Sequence, residues 1–133
     1  MDIVSLKSLE EMNQSDNAVT IHPYFKVTEE KLQAFKRLAE DLIEITRGEM
    51  GCLFYGFTYA DGEAYCREGF KDADSLVSHL DNASDLLQKL GSISELARIE
   101  VHGPQAEIDK LREWPSIKKL NPKFYLLEGG FRN

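Results

Sequence analysis

Residues 65–80 read Tyr65-Cys66-Arg67-Glu68-Gly69-Phe70-Lys71-Asp72-Ala73-Asp74-Ser75-Leu76-Val77-Ser78-His79-Leu80, and the same pattern runs on to Leu90. The stretch reads as a strand feeding a long amphipathic helix. Asp72 is placed to cap that helix, because its carboxylate can accept a hydrogen bond from a free amide of the first turn, and Asp74 adds charge favoured by the helix dipole. Leu76, Val77, Leu80, Ala83, Leu86, Leu87 and Leu90 then recur at helical spacing and form one apolar face, with Gly91 as the stop. At 100° per residue His79 falls between Leu86 and Leu90, so its imidazole is expected to point inward.

Working back from that strand, Cys52–Ala60 and Glu63–Phe70 are joined by Asp61-Gly62, a two-residue hairpin turn that sets the register. Tyr59 then faces Ala64, Phe57 faces Cys66 and Tyr55 faces Glu68 on one side, with Leu53 continuing it. Thr58 faces Tyr65 and Gly56 faces Arg67 on the other, with Phe54 and Cys52. Aromatic groups on both faces imply that a second copy of the chain covers one of them, giving a homodimer. The simpler alternative is the ordinary scatter of aromatics over a surface.

Residues 1–17 form a short N-terminal arm, with Leu6, Leu9 and Met12 at helical spacing ahead of the polar run Asn13 to Asn17. Alternation predicts a strand over 18–27, interrupted by Pro23. Thr28, Glu29 and Glu30 open a helix that continues to about Arg47, where Gly48 ends it. Further on, 94–102 alternate again, and Gly103-Pro104 turns the chain into a short helix ending at Trp114-Pro115. Residues 116–122 read as irregular, and 123–128 as a last strand. The order β-α-β-β-α-β, followed by α-β, is that of an α+β, ferredoxin-like antiparallel sheet with helices on one face, a single domain over 18–133.

The totals narrow the function. A chain of 133 residues can bury a core without staples. With 23 acidic against 16 basic residues, net charge −7, nucleic acid is not an expected partner. No run is long and apolar enough to span a bilayer, and the first residues lack a basic, then apolar, leader, so no membrane association is expected and the location is read as cytoplasmic. Cys52 and Cys66, read on opposite faces of one hairpin, are expected to be free thiols.

His79 is the leading catalytic candidate, since an inward imidazole can take a proton from a phenol or an activated C–H. The competing reading is a core histidine bonded to a backbone carbonyl or to Asn82. Arg67, with Tyr65 or Tyr55 as a second donor, could orient a phenolic oxygen, or pair on the surface with Glu68 or Glu100. Glu68, facing Tyr55, is either a hydrogen-bonded core partner or a carboxyl raised in pKa by burial. His22 and His102 lie on strands expected to be neighbours. With no cysteine or carboxylate at matching spacing they read as ordinary strand residues rather than a metal site. Trp114 reads as a helix-end anchor.

On this element order, and on Glu68-Gly69-Phe70, Asp72 to Asp74 and His79, the chain resembles the antibiotic-biosynthesis-monooxygenase-like family of dimeric α/β-barrel proteins. The resemblance implies two ferredoxin-like sheets packed face to face, and a cofactor-independent monooxygenase acting on a small quinol or anthrone-type aromatic. It would carry His79 as general base and Tyr55, Tyr65, Arg67 and Phe70 as substrate-binding residues, with no cofactor and no metal. The heme-degrading branch resembles a different pattern, whose positions fall at Pro23, His79 and Lys89, where none matches. A non-catalytic, small-molecule-binding or stress-related dimer is the alternative the same fold permits.

Overall fold

The computed structural model describes residues 16–133, so most of the expected N-terminal arm lies outside it. Within that range the sequence patterns turn into strands β1 (Val19–Lys26), β2 (Cys52–Ala60), β3 (Glu63–Phe70), β4 (Glu95–Gly103) and β5 (Lys123–Leu126). The helices are α1 (Leu32–Arg47), α2 (Ala73–Asn82), α3 (Ser84–Ser92), α4 (Gln105–Glu113) and α5 (Pro115–Leu120). The strands form one sheet in the order β2-β3-β1-β4-β5, antiparallel except for the parallel pair β4–β5. The first four strands have the ferredoxin-like order, and β5 extends one edge.

Alternation decides which face each strand residue joins. Val19, Ile21, Phe70 and Val101 meet Leu76, Val77, Ile108, Leu111 and Ile117 from the helices in one core. Phe25, Ala64, Phe35, Leu42, Ala83 and Leu90 make a second core under α1 and α3. Both cores lie on the same side of the sheet. The opposite side carries Tyr24, Phe54, Tyr65 and Arg67, and among the described residues no helix packs on it. The Arg98 guanidinium there lies 4.1 Å from the centre of the Tyr24 ring, and that of Arg67 lies 4.8 Å from the centre of the Phe54 ring.

The hairpin register is the one the turn dictates, with Tyr59, Phe57 and Tyr55 opposite Ala64, Cys66 and Glu68. Asp61 and Gly62 both have positive φ, 45° and 81°, as a two-residue turn of this hand requires.

Five local expectations are corrected. The register slips between Cys52 and Phe54, a bulge at Leu53 that brings Cys52 opposite Phe70 and against the first core. One extra residue reverses the alternation, so Cys52 does not share a face with Phe54. Both thiols are free.

The single helix expected over 72–90 is two, meeting at Ala83, whose backbone (φ −93°, ψ 1°) leaves the helical region while its amide still donates to the His79 carbonyl. The apolar stripe runs through this joint because Ala83 is fully buried, which is why periodicity alone did not expose it. Helix α3 also continues past Gly91 to Ser92.

A short 3₁₀ turn, Glu29–Lys31, precedes α1, and Thr28 makes no side-chain cap. Of residues 116–122, expected to be irregular, 116–120 belong to α5: Pro115 opens it with its preset φ, and Asn121 at φ 50° closes it.

Candidate active site

Helix α2 is held at its start by two carboxylates. Asp72 Oδ1 accepts from the Ser75 amide at 2.8 Å, and Glu107 Oε1, reaching over from α4, accepts from the Ala73 amide at 3.0 Å. Helix α2 then turns His79 inward to 1% exposure, between the rings of Phe70 and Tyr55, whose centroids lie 5.0 and 5.2 Å away.

A buried imidazole needs partners for both nitrogens. The first comes from the loop between α1 and β2. Nδ1 of His79 lies 2.9 and 3.0 Å from the two carboxylate oxygens of Glu49, and Asn82 Nδ2 donates to Glu49 Oε2 at 2.9 Å. Asn82 therefore orients the carboxylate rather than the imidazole. The second partner is Glu68, whose Oε1 lies 3.5 Å from His79 Nε2.

The two carboxyls sit in unlike surroundings. Glu68 is 5% exposed, and burial pushes its pKa up to about 8, with the nearby Glu49 charge acting in the same direction and a hydrogen bond to Cys66 opposing it. Burial lowers the His79 pKa, against the pull of Glu49. The arrangement that fits both is a neutral carboxylic acid at Glu68 facing Nε2, a neutral imidazole, and Nδ1–H donating to an ionised Glu49. Desolvation also raises the Tyr55 phenol and the Cys66 thiol, and takes the Cys52 thiol to about 11, so all three stay protonated at neutral pH.

Two hollows meet at Glu49. One, of about 270 Å³, lies between the end of α1 and the start of β2 and is lined by Thr46, Arg47, Glu49, Cys52, Phe54 and Tyr55, among others. The other, of about 510 Å³, lies between the Glu49–Gly51 loop and α2. His79 and Glu68 line neither, so Glu49 is the member of the trio that a bound molecule would meet.

Of the residues singled out from sequence, His79, Tyr55 and Phe70 come together here, with Glu68 at the same place. Tyr65 and Arg67 do not join them, because alternation puts both on the opposite sheet face. There Tyr65 OH is 2.7 Å from His22 Nδ1, while His22 Nε2 is 2.7 Å from Thr20 Oγ1 and the His102 ring centroid lies 4.5 Å from that of His22. Burial and the neighbouring His102 lower the His22 pKa, against Glu100. Among the described residues no three His, Cys, Asp or Glu side chains gather as a metal site. Trp114, at 40% exposure, stands at the junction of α4 and α5.

Glu49 was missed. It lies in a Gly48–Gly51 loop outside any periodic pattern, and the only sequence signal for it is the need of an inward histidine for a carboxylate.

No family model and no curated protein matches the chain. Among solved structures it is similar to MupZ from Pseudomonas fluorescens, with 38% identity and a TM-score of 0.82 over 88% of this chain and 95% of that one. It is also similar to a conserved protein from Methanosarcina mazei Go1, with 29% identity and a TM-score of 0.61 over 66% of this chain and 93% of the other. An antibiotic biosynthesis monooxygenase, 19% identical over 62% of this chain and 92% of its own, shares the fold at a TM-score of 0.55. With 38% identity to MupZ over most of both chains, and the ferredoxin-like fold shared with an antibiotic biosynthesis monooxygenase, the chain belongs to the antibiotic-biosynthesis-monooxygenase-like family.

Proposed function

We propose that the chain is a cofactor-independent monooxygenase acting on a small quinol or anthrone-type molecule, with Glu49, His79 and Glu68 as its acid–base machinery. The observation that carries this reading is the buried His79 held between two carboxyls in unlike surroundings, one of which lines a cleft. Glu49 takes the substrate proton. His79 supports it from behind, its proton-accepting Nε2 facing the protonated Glu68, so the imidazole acts through Glu49 rather than by touching the substrate. The deprotonated substrate then supplies electrons to dioxygen. For an anthrone-type methylene, one oxygen atom becomes the new carbonyl and the other leaves as water with the two methylene hydrogens. The protein need contribute only a base, orienting donors and a dry wall, here Tyr55.

A second copy is inferred to cover the open sheet face that carries Phe54, Tyr24 and Tyr65, and the site is inferred to work in the cytoplasm. Among the described residues no helix is long and apolar enough to cross a membrane.

The test is oxygen uptake with anthrone and hydroquinone as probes. Wild type is expected to turn over at least one of them, and Glu49→Gln to slow it by about 10²-fold or more, as loss of a general base does. Uptake unchanged in Glu49→Gln removes the acid–base assignment. Binding of the probes without any uptake favours the non-catalytic, small-molecule-binding reading.

A further inference from the structure

A row of rings crosses the open sheet face: Tyr65 on β3, His22 on β1, His102 on β4 and Tyr125 on β5. Neighbouring ring centroids in that order lie 6.0, 4.5 and 4.4 Å apart. The two histidines stand side by side in the middle of the face, and the chemistry of the cleft does not use them.

Strand register supplies the groups that face this pair. On β1 they are Thr20 and Tyr24, on β3 Tyr65 and Arg67, on β4 Arg98 and Glu100, and on β5 Lys123 and Tyr125. Both His22 nitrogens meet hydroxyls at 2.7 Å, those of Tyr65 and Thr20, and a hydroxyl can serve either charge state of the ring. The carboxylate of this group, Glu100, is shared: its oxygens lie 3.3 Å from Arg98 Nε and 3.6 Å from His102 Nε2. With Arg67, Arg98 and Lys123 also present, little remains to offset a proton on either ring. Burial and His102 accordingly lower the His22 pKa, against Glu100.

Under the two-fold symmetry of a homodimer this face meets a copy of itself, so a proton gained by one row is gained by the row opposite. Sealing the rings from water also favours their neutral form. We propose that the His22–His102 pair makes self-association pH-dependent: two copies hold together while both rings are neutral and separate as the pair takes up protons. The inference rests on a second copy covering this face and is independent of the reaction in the cleft. Its sign follows from linkage. The dimer binds fewer protons than two free copies, so association is strongest above the ordinary histidine value of 6.5 and weakens as pH falls. One proton shed per copy raises Kd by at most about 10²-fold for each pH unit below the titration.

The experiment is sedimentation velocity on wild type and His22→Gln at pH 7.5 and 5.5, with circular dichroism as the control for folding. Glutamine can still bond both hydroxyls but takes no proton. The wild-type Kd is expected to rise by about tenfold or more on acidification, and that of His22→Gln to change much less. No rise in wild type, or an equal rise in both proteins, overturns the proposal and leaves the dimer standing. A wild type that is monomeric at pH 7.5 overturns the dimer and the proposal together. A second readout needs neither the dimer nor the His22 variant: in His102→Gln the His22 ring signals should titrate at higher pH than in wild type, because a neighbouring charge is gone. An unchanged titration would show that the rings are uncoupled and overturn the proposal.

Discussion

The Nδ1 atom of His79 stands 2.9 and 3.0 Å from the two carboxylate oxygens of Glu49, a residue on a loop that the histidine's own helix does not touch in sequence. This contact turns a buried imidazole from a packing residue into part of a charged system open to the cleft. Replacing Glu49 by Gln keeps an acceptor but removes the charge. The loss is expected to be about 1 kcal/mol, the difference between a charged and a neutral hydrogen-bond acceptor. Because Glu49 raises the His79 pKa against desolvation, the His79 titration should move further down in the variant, read from its ring proton shifts. An upward move would contradict the contact.

Glu68 gives the molecule a pH dependence of definite sign. Burial pushes its pKa up to about 8 from an ordinary value of 4.5, so the folded state binds the proton more tightly. Its contribution is therefore greatest below pH 4.5 and is lost as pH rises toward 8. The depressed His79 acts the other way, its contribution being present above its unfolded value of 6.5 and lost as pH falls. Glu68→Gln should remove the first effect, so that denaturant unfolding at pH 8.5 shows the variant gaining on wild type relative to pH 5.5. A constant difference between the two pH values would mean that Glu68 is ionised in the folded protein.

Gly51 lets the Glu49 loop lie against α2, since a Cβ at this position would overlap the side chain of Ser75. Gly51→Ala should cost about 1–3 kcal/mol as an overpacked contact and perturb the His79 ring signals. Adding Ser75→Gly should restore the signals. A single variant as stable as wild type, with unchanged signals, would show that the close approach does not fix the loop.

The open sheet face gives a separate prediction. Phe54 lies outside both cores, under the Arg67 guanidinium. Phe54→Glu should convert a dimer to a folded monomer, read by sedimentation velocity with circular dichroism as the control for folding. A variant that remains a dimer would remove this face as the interface.

The element order and the hairpin register were legible because they rest on local chemistry: the Asp61-Gly62 turn, the Asp72 cap, and alternation along β1 and β3. The inward direction of His79 followed from helical spacing. What could not be read depends on contacts across the chain. Nothing near Glu49 in sequence names His79 as its partner. The bulge at Leu53 and the joint at Ala83 escaped for a related reason. Each keeps the hydrophobic pattern while changing the backbone, and pattern was all that the sequence offered there.

The central claim is the protonation of His79 between an ionised Glu49 and a protonated Glu68. Long-range proton–nitrogen correlation NMR on histidine-labelled protein at pH 7, with His79→Asn to assign the signal, tests it most directly. The arrangement predicts a neutral ring protonated at Nδ1, with Nε2 giving the shift of an unprotonated acceptor. A doubly protonated ring, or a ring protonated at Nε2 alone, would contradict it.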